Sequence, residues 1–176
     1  TNLKTPQVTA ISTEKEDITP VVTQPTKQEV TTPKAITPPV EKEVVYSMNT
    51  AVKVDYLTYT ITKAESFNYM GTSMFNKKTT DKFIKVYMKI TNNAKQTENL
   101  YSARFKIQDS QERLFDRLDD DMMYISDPLE FGKQLQPGLA TSGAIVFELP
   151  TDATDLILVI NGDYASTSEA KVKLST

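Results

Sequence analysis

The sequence predicts an all-β protein, an antiparallel β-sandwich of about seven or eight short strands behind a disordered N-terminal arm. Three observations predict it. Composition breaks at about Val44: residues 1–43 hold ten Thr and six of the nine Pro, with no Gly and no aromatic residue. All eight Tyr, all seven Phe and all five Gly follow. The later runs then alternate apolar and polar residues with a period of two, as strands with one buried and one wet face do.

Residues 1–43 read as a stalk. Thr19-Pro20, Gln24-Pro25, Thr32-Pro33 and Thr37-Pro38-Pro39 recur among Val, Lys and Glu. Proline fixes its own φ and pushes the preceding residue out of the helical region, so the preference is extended. Nothing here is bulky enough to offset the entropy of ordering. As a coil the stalk would reach roughly 35–40 Å, and about 130 Å if polyproline-like throughout. It reads as a spacer that carries a domain away from a surface, an ordinary disordered tail being the plainer alternative. The chain opens at Thr1 inside this arm, without Met or a signal peptide. That reads as a processed or truncated start, with targeting information expected upstream.

Residues 44–176 read as the folded domain. Val52 and Val54 begin a strand whose phase changes by Leu57, Tyr59 and Ile61, which suggests a bulge near Tyr56. Ile84, Val86, Met88 and Ile90 alternate with Lys85, Tyr87 and Lys89. Tyr101, Ala103, Phe105 and Ile107 face one way, and Ser102, Arg104, Lys106 and Gln108 the other. Ile145, Phe147 and Leu149 form a further strand, ended by Pro150. Leu156 to Ile160 is apolar on both faces, which predicts a central strand. Asn161-Gly162 marks a turn before the closing strand at Val172 and Leu174. Asn92-Asn93 and Gln136-Pro137-Gly138 separate other runs, and Asp119 to Leu135 is the least regular stretch, with room for one helical turn.

Composition excludes several classes of function. The net charge of −3 gives no footprint for nucleic acid or for an anionic membrane surface. With no Cys and no His, disulfides, thiolate metal sites and Ser-His-Asp or Cys-His catalysis are impossible within this chain. No run of 18 apolar residues is present, so a membrane would be reached only through a lipid anchor outside this chain.

Three segments resemble a known family. Lys82 through Asn93 resembles a strand of a bacterial domain of unknown function that occurs in exported lipoproteins. Phe105 through Phe115 is similar to its strand-turn-strand, with Gln111-Glu112 where a Gly is more usual. Leu135-Gln136-Pro137-Gly138 to Gly143, with Val146 through Pro150, looks like its next segment. The resemblance implies an immunoglobulin-like antiparallel β-sandwich over about residues 50–175 and a location outside the cell. The stalk of such lipoproteins follows a lipid-modified Cys, so anchoring at the outer face of the cell membrane, or secretion, is implied by analogy. The immunoprotective extracellular antigens of mycobacteria look similar at the level of fold. The family supplies no catalytic residues.

Candidate sites are two. Met70, Phe75, Met122, Met123 and Tyr124, with Phe67, Tyr69 and Met74, are apolar yet fall in expected loops. Exposed Met and aromatic side chains make an adaptable binding patch. The plainer alternative, favoured on the sequence, is that these loops plug an open end of the sandwich. Asp116, Asp119, Asp120 and Asp121 form the densest acidic cluster. Calcium takes six to eight oxygens, and this loop supplies some of them without matching an EF-hand. The alternative is a solvated loop balanced by Arg113 and Arg117. Ser168 and Lys171 share the Ser-x-x-Lys spacing of penicillin-interacting enzymes, but flank a strand where that chemistry needs a helix start. The expected function is a non-enzymatic, surface-tethered binding module for a protein or cell-envelope polymer. A calcium-dependent adhesion or sensing domain is the alternative.

Overall fold

The computed structural model describes residues 43–120 and 123–176. The chain divides into two units, Thr1–Val40 and Glu41–Thr176. The stalk reading, apart from Glu43, lies outside the described residues. Among its described residues the second unit holds eleven strands in chain order: β1 (Val45–Ser47), β2 (Ala51–Val54), β3 (Leu57–Gly71), β4 (Asn76–Asn92), β5 (Glu98–Asn99), β6 (Phe105–Gln108), β7 (Leu114–Asp116), β8 (Gln134–Leu135), β9 (Ala140–Leu149), β10 (Ile157–Asn161) and β11 (Glu169–Lys173). The excess over the expected number comes from short pieces, since β5 and β8 are two residues each.

The sandwich has a five-stranded sheet ordered β1-β11-β10-β6-β7 and a four-stranded sheet ordered β2-β3-β4-β9. Only β1 pairs in parallel, against β11, and the remaining named ladders are antiparallel. An antiparallel bridge from Arg117 to Phe147 joins the β7 and β9 sides. Alternation sets what is buried. Tyr59, Ile61, Val86 and Phe147 from one sheet meet Phe105, Ile107, Leu158 and Val172 from the other, all at most 2% exposed. Tyr59 and Phe105 meet edge to face, centroids 5.9 Å apart. Each such side chain contributes about 1.5–3 kcal/mol, so the core needs no disulfide. As expected, β10 lies in the middle of its sheet with Leu158, Val159 and Ile160 all buried.

Three local expectations fail, each for a reason of backbone geometry. The phase change after Val54 is a reversal and not a bulge: Asp55, at φ 53°, turns β2 back onto β3 with Val54 opposite Leu57. The register shifts fall inside β3, between Ile61 and Lys63 and between Phe67 and Tyr69. These bulges hide the strand's continuation from a period-two reading, so Phe67 to Met70 lie on β3 and not in a loop. Finally, Tyr101 does not start a strand. Ser102–Arg104 forms a single 3₁₀ turn ahead of β6, which rotates Arg104 inward to 4% exposure.

Asp109 shapes the β6–β7 turn by accepting from the backbone N–H of Gln111 and Arg113, each at 3.0 Å. Glu112 holds φ 61° there. A left-handed conformation costs an L-residue about 1–2 kcal/mol, and glycine in the unfolded chain returns roughly 0.5–1 kcal/mol of that in entropy. Glu112→Gly is therefore expected to raise stability by about 0.5–1 kcal/mol, read as a higher urea midpoint. A lower midpoint would contradict the strain.

Candidate functional site

The free end of the β3–β4 hairpin carries most of the apolar set singled out in the sequence. Pairing of β4 with β9 begins at Lys82, yet β3 and β4 stay paired out to Gly71 and Asn76. Among the described residues the ribbon beyond Lys82 thus has no third strand. The reversal at its tip needs glycine: Gly71 sits at φ +105°, and a Cβ there would overlap the Phe75 carbonyl oxygen. Thr72 N–H donates to that oxygen at 2.7 Å.

A bare two-stranded ribbon is marginal in water, and this one is braced from one side. Met70, 5% exposed, packs with Phe83 and Val146, and Phe67, Leu118, Tyr124 and Ile125 close over them. Lys77 Nζ lies 3.5 Å from Asp120 Oδ1. The bracing leaves an open cleft of about 440 Å³ whose apolar wall includes Phe67, Tyr69, Met70, Met123 and Tyr124. The set therefore divides by environment. Met70 is buried and Tyr124 half-buried, whereas Met74, Phe75 and Met123 are 83%, 56% and 63% exposed. Met122 lies outside the described residues.

Lys85 lines the same cleft from β4 at 9% exposure. Its Nζ sits 4.5 Å from the Tyr87 ring centroid and 3.1 Å from Asp127 Oδ1. Burial opposes the charge, but hydrogen bonds to Tyr87 and Asp127 outweigh it and lift the Lys85 pKa above the ordinary lysine value. The same contact from Lys85 lowers the Asp127 pKa. The cleft thus has an apolar half and, opposite it, a lysine held from behind by Asp127.

The acidic cluster is dispersed over separate cations. Asp116 Oδ1 meets Lys106 at 2.7 Å, Asp119 Oδ1 meets Arg117 at 3.4 Å, and Asp120 Oδ1 meets Lys77. Among the described residues no three carboxylates gather to hold a metal. Asp121 lies outside them. Ser168 and Lys171 belong to the β10–β11 loop and to β11, where Lys171 pairs with Glu43 and Glu169.

A second cleft lies at the opposite end of β3, beyond Leu57, and sequence reasoning missed it. It holds about 650 Å³ between the Tyr101–Arg104 segment and the β10–β11 loop. Asp55 clasps that loop: Ser166 Oγ donates to Oδ1 at 2.6 Å and Asp163 N–H to Oδ2 at 2.8 Å. Burial opposes ionisation of Asp55, but these hydrogen bonds prevail and lower its pKa. Gly162 leaves room for this clasp, because a Cβ there would lie 2.5 Å from Asp55 Oδ2 and 2.6 Å from Ser166 Oγ and would push those side chains aside. The Asn-Gly pair was readable as a turn. The burial of Arg104 was not, because it depends on the 3₁₀ turn.

Comparison with known proteins extends the fold to relatives of low identity. The yjhA protein from Bacillus subtilis aligns over 74% of this chain and 100% of its own, with 15% identity and a TM-score of 0.59. A secreted protein from Mycobacterium tuberculosis, MPT63, aligns over 76% of this chain and 98% of its own, with 9% identity and a TM-score of 0.55. A Bacillus subtilis protein provisionally assigned as a lipoprotein, ycdA, aligns over 72% of this chain and 38% of its own, with 17% identity and a TM-score of 0.55. No curated protein matches the chain. The family model spans residues 46–171, so the chain belongs to the family described as a domain of unknown function (DUF4352).

Proposed function

We propose that this domain is a non-enzymatic binding module held outside a bacterial cell, and that it engages a protein or envelope polymer through the free end of the β3–β4 hairpin. The observation that carries this reading is the pairing of exposed Met74, Phe75 and Met123 with an open apolar cleft on a braced ribbon. Exposed apolar groups that gather at one end of a rigid element are how interaction surfaces present themselves. Similarity to a secreted protein and to a provisional lipoprotein supports an extracellular setting. In that setting the Thr/Pro-rich segment acts as the spacer, with membrane attachment through a lipid anchor outside this sequence. The lack of His and Cys supports a binding role over catalysis.

The triple variant M74S/F75S/M123S tests it, because these side chains are mostly outside the core. The melting temperature should stay within about 2 °C of the parent, while capture of the partner from an envelope extract should be lost. Equal capture by the variant, or a large fall in melting temperature, would contradict the reading and return these residues to a packing role.

A further inference from the structure

One long strand edge of the sandwich is open. β2 covers β3 only over residues 57–60, and beyond them the Asn49 N–H reaches the Ile61 carbonyl at 2.8 Å. β3 then runs on to Gly71 with β4 on its other side. Among the described residues, no backbone group of residues 62–70 has a partner on the side away from β4. At about 3.3 Å per residue this free edge is roughly 30 Å long.

Natural sheets keep edges short or covered, because a row of unpaired N–H and C=O groups is a template for another strand. The rest of the described domain follows that rule. The edge strands β1, β2 and β7 have three, four and three residues. The long strand β9 is covered along its outer side. Leu118 N–H donates to the Val146 carbonyl and Leu129 N–H to the Ala144 carbonyl, both at 2.8 Å, and Ala144 N–H donates to the Asp127 carbonyl at 2.9 Å. The part of β4 beyond β9 is interrupted: Thr79 to Lys82 stand against Asn68 alone, and Asp81 N–H donates to Thr79 Oγ1 at 3.0 Å. The edge of β3 is the exception.

Such an edge selects its ligand by geometry, since amides at strand spacing are matched by another extended polypeptide. Side chains set the order of residues in that polypeptide. Lys63, Glu65 and Phe67 stand opposite Tyr87, Lys85 and Phe83, so they share one face. A strand running antiparallel would place an apolar residue by Phe67, a base by Glu65 and an acid by Lys63. The Lys63 and Glu65 side chains are 59% and 39% exposed and pair with each other at 2.6 Å. Charges on an edge deter indiscriminate pairing, and here they favour a strand of matching order. Phe67 also lines the hairpin cleft, where an incoming apolar side chain would extend the wall.

We infer that β3 takes an extended segment of a partner protein as an added antiparallel strand along residues 62–70, with the order apolar-x-basic-x-acidic. The inference rests on the binding role proposed above and names its partner as polypeptide.

The probe is the end-capped peptide Thr-Val-Thr-Lys-Val-Glu-Thr. It is expected to bind the full ¹⁵N-labelled chain saturably at about 1 mM or below. Binding should slow amide exchange at alternate residues of the 62–70 stretch at least about tenfold, and leave the amides already bonded to β4 unchanged. Of two versions N-methylated at alternate positions, one should bind and the other should not, because only one side of a strand meets the edge. Replacing the probe's Glu by Lys should weaken binding to the parent and strengthen binding to Lys63→Glu, by about twofold to threefold each way. M74S/F75S/M123S should bind the probe as the parent does, so that failure at the ribbon tip and failure at the edge are read apart. The inference is overturned by no saturable binding, by equal binding of the two N-methylated versions, by protection of a contiguous block of amides, or by an unchanged preference in Lys63→Glu. Loss of probe binding in the triple variant would put the contact at the tip and contradict the edge.

Discussion

Changing Asn92 to alanine is expected to be the most damaging small substitution in the domain, with a loss of roughly 3–5 kcal/mol. Asn92 is fully buried at the end of β4. Its Nδ2 donates to the Leu135 carbonyl at 2.8 Å and to the Gln96 carbonyl at 2.9 Å, and its Oδ1 accepts from Ala94 N–H at 2.8 Å. One amide therefore ties together two segments that have little regular structure of their own. Alanine would leave those three backbone groups without their partner, each at a cost of about 1–3 kcal/mol. Leucine would fill the volume and keep the same deficit, so it should rescue little. Urea unfolding measures both variants, with the slope unchanged and the midpoint lowered. A loss under about 1 kcal/mol would mean that water replaces the amide, against the burial described.

The second large effect is a change in acid sensitivity on replacing Asp109. Its carboxylate has no solvent exposure and meets Arg113 Nε at 2.8 Å and Nη2 at 2.7 Å, beside the two backbone N–H groups of its turn. Burial works against ionisation, but the Arg113 and backbone hydrogen bonds overcome it and hold the carboxyl below the ordinary aspartate value. A folded pKa below the unfolded one, about 3.9, gives stability that is complete above that pH. It is lost as pH falls through the folded value. Asp109→Asn should therefore lower the melting temperature at pH 7, by roughly 5–10 °C, and flatten the fall in stability below about pH 4. Asp152 shares Arg113 at 3.0 Å and is likewise lowered, chiefly by that hydrogen bond, so a part of the acid limb should persist. An unchanged acid limb would show that Asp109 is not the carboxylate responsible.

Both residues show how far the sequence could be read. Asn92-Asn93 was legible as the end of a strand, and Asp109 as part of a family-like turn. That Asn92 is a buried fastener depends on Leu135 and Gln96, which only the fold brings to it. The strands β4, over Ile84 to Ile90, and β9, over Ile145 to Leu149, were legible from every second residue being apolar, whereas the burial of Phe83, Lys85 and Val146 on the other face comes from the second cluster and from the Asp127 contact. The far half of β3 was not, since two register shifts break the phase and only the small Ala64 stands among the polar residues Lys63, Glu65 and Ser66. The Met and aromatic set stood out because it fitted no strand phase. Which members face inward depends on bracing by Leu118 and Ile125. The clefts at the two ends of β3 are products of tertiary packing, and Arg104 in particular was assigned to the wet face of a strand that begins only at Phe105.

The most direct test of the central claim, that the hairpin end is the contact surface, is site-specific photocrosslinking on intact cells. A photoreactive phenylalanine analogue would replace Phe75 at the ribbon tip or, as a control, Leu114 on β7, exposed to 56% and 57% respectively. A discrete adduct from position 75 and none from position 114 is the predicted result. An adduct from position 114 alone, or none from either position, would contradict the account.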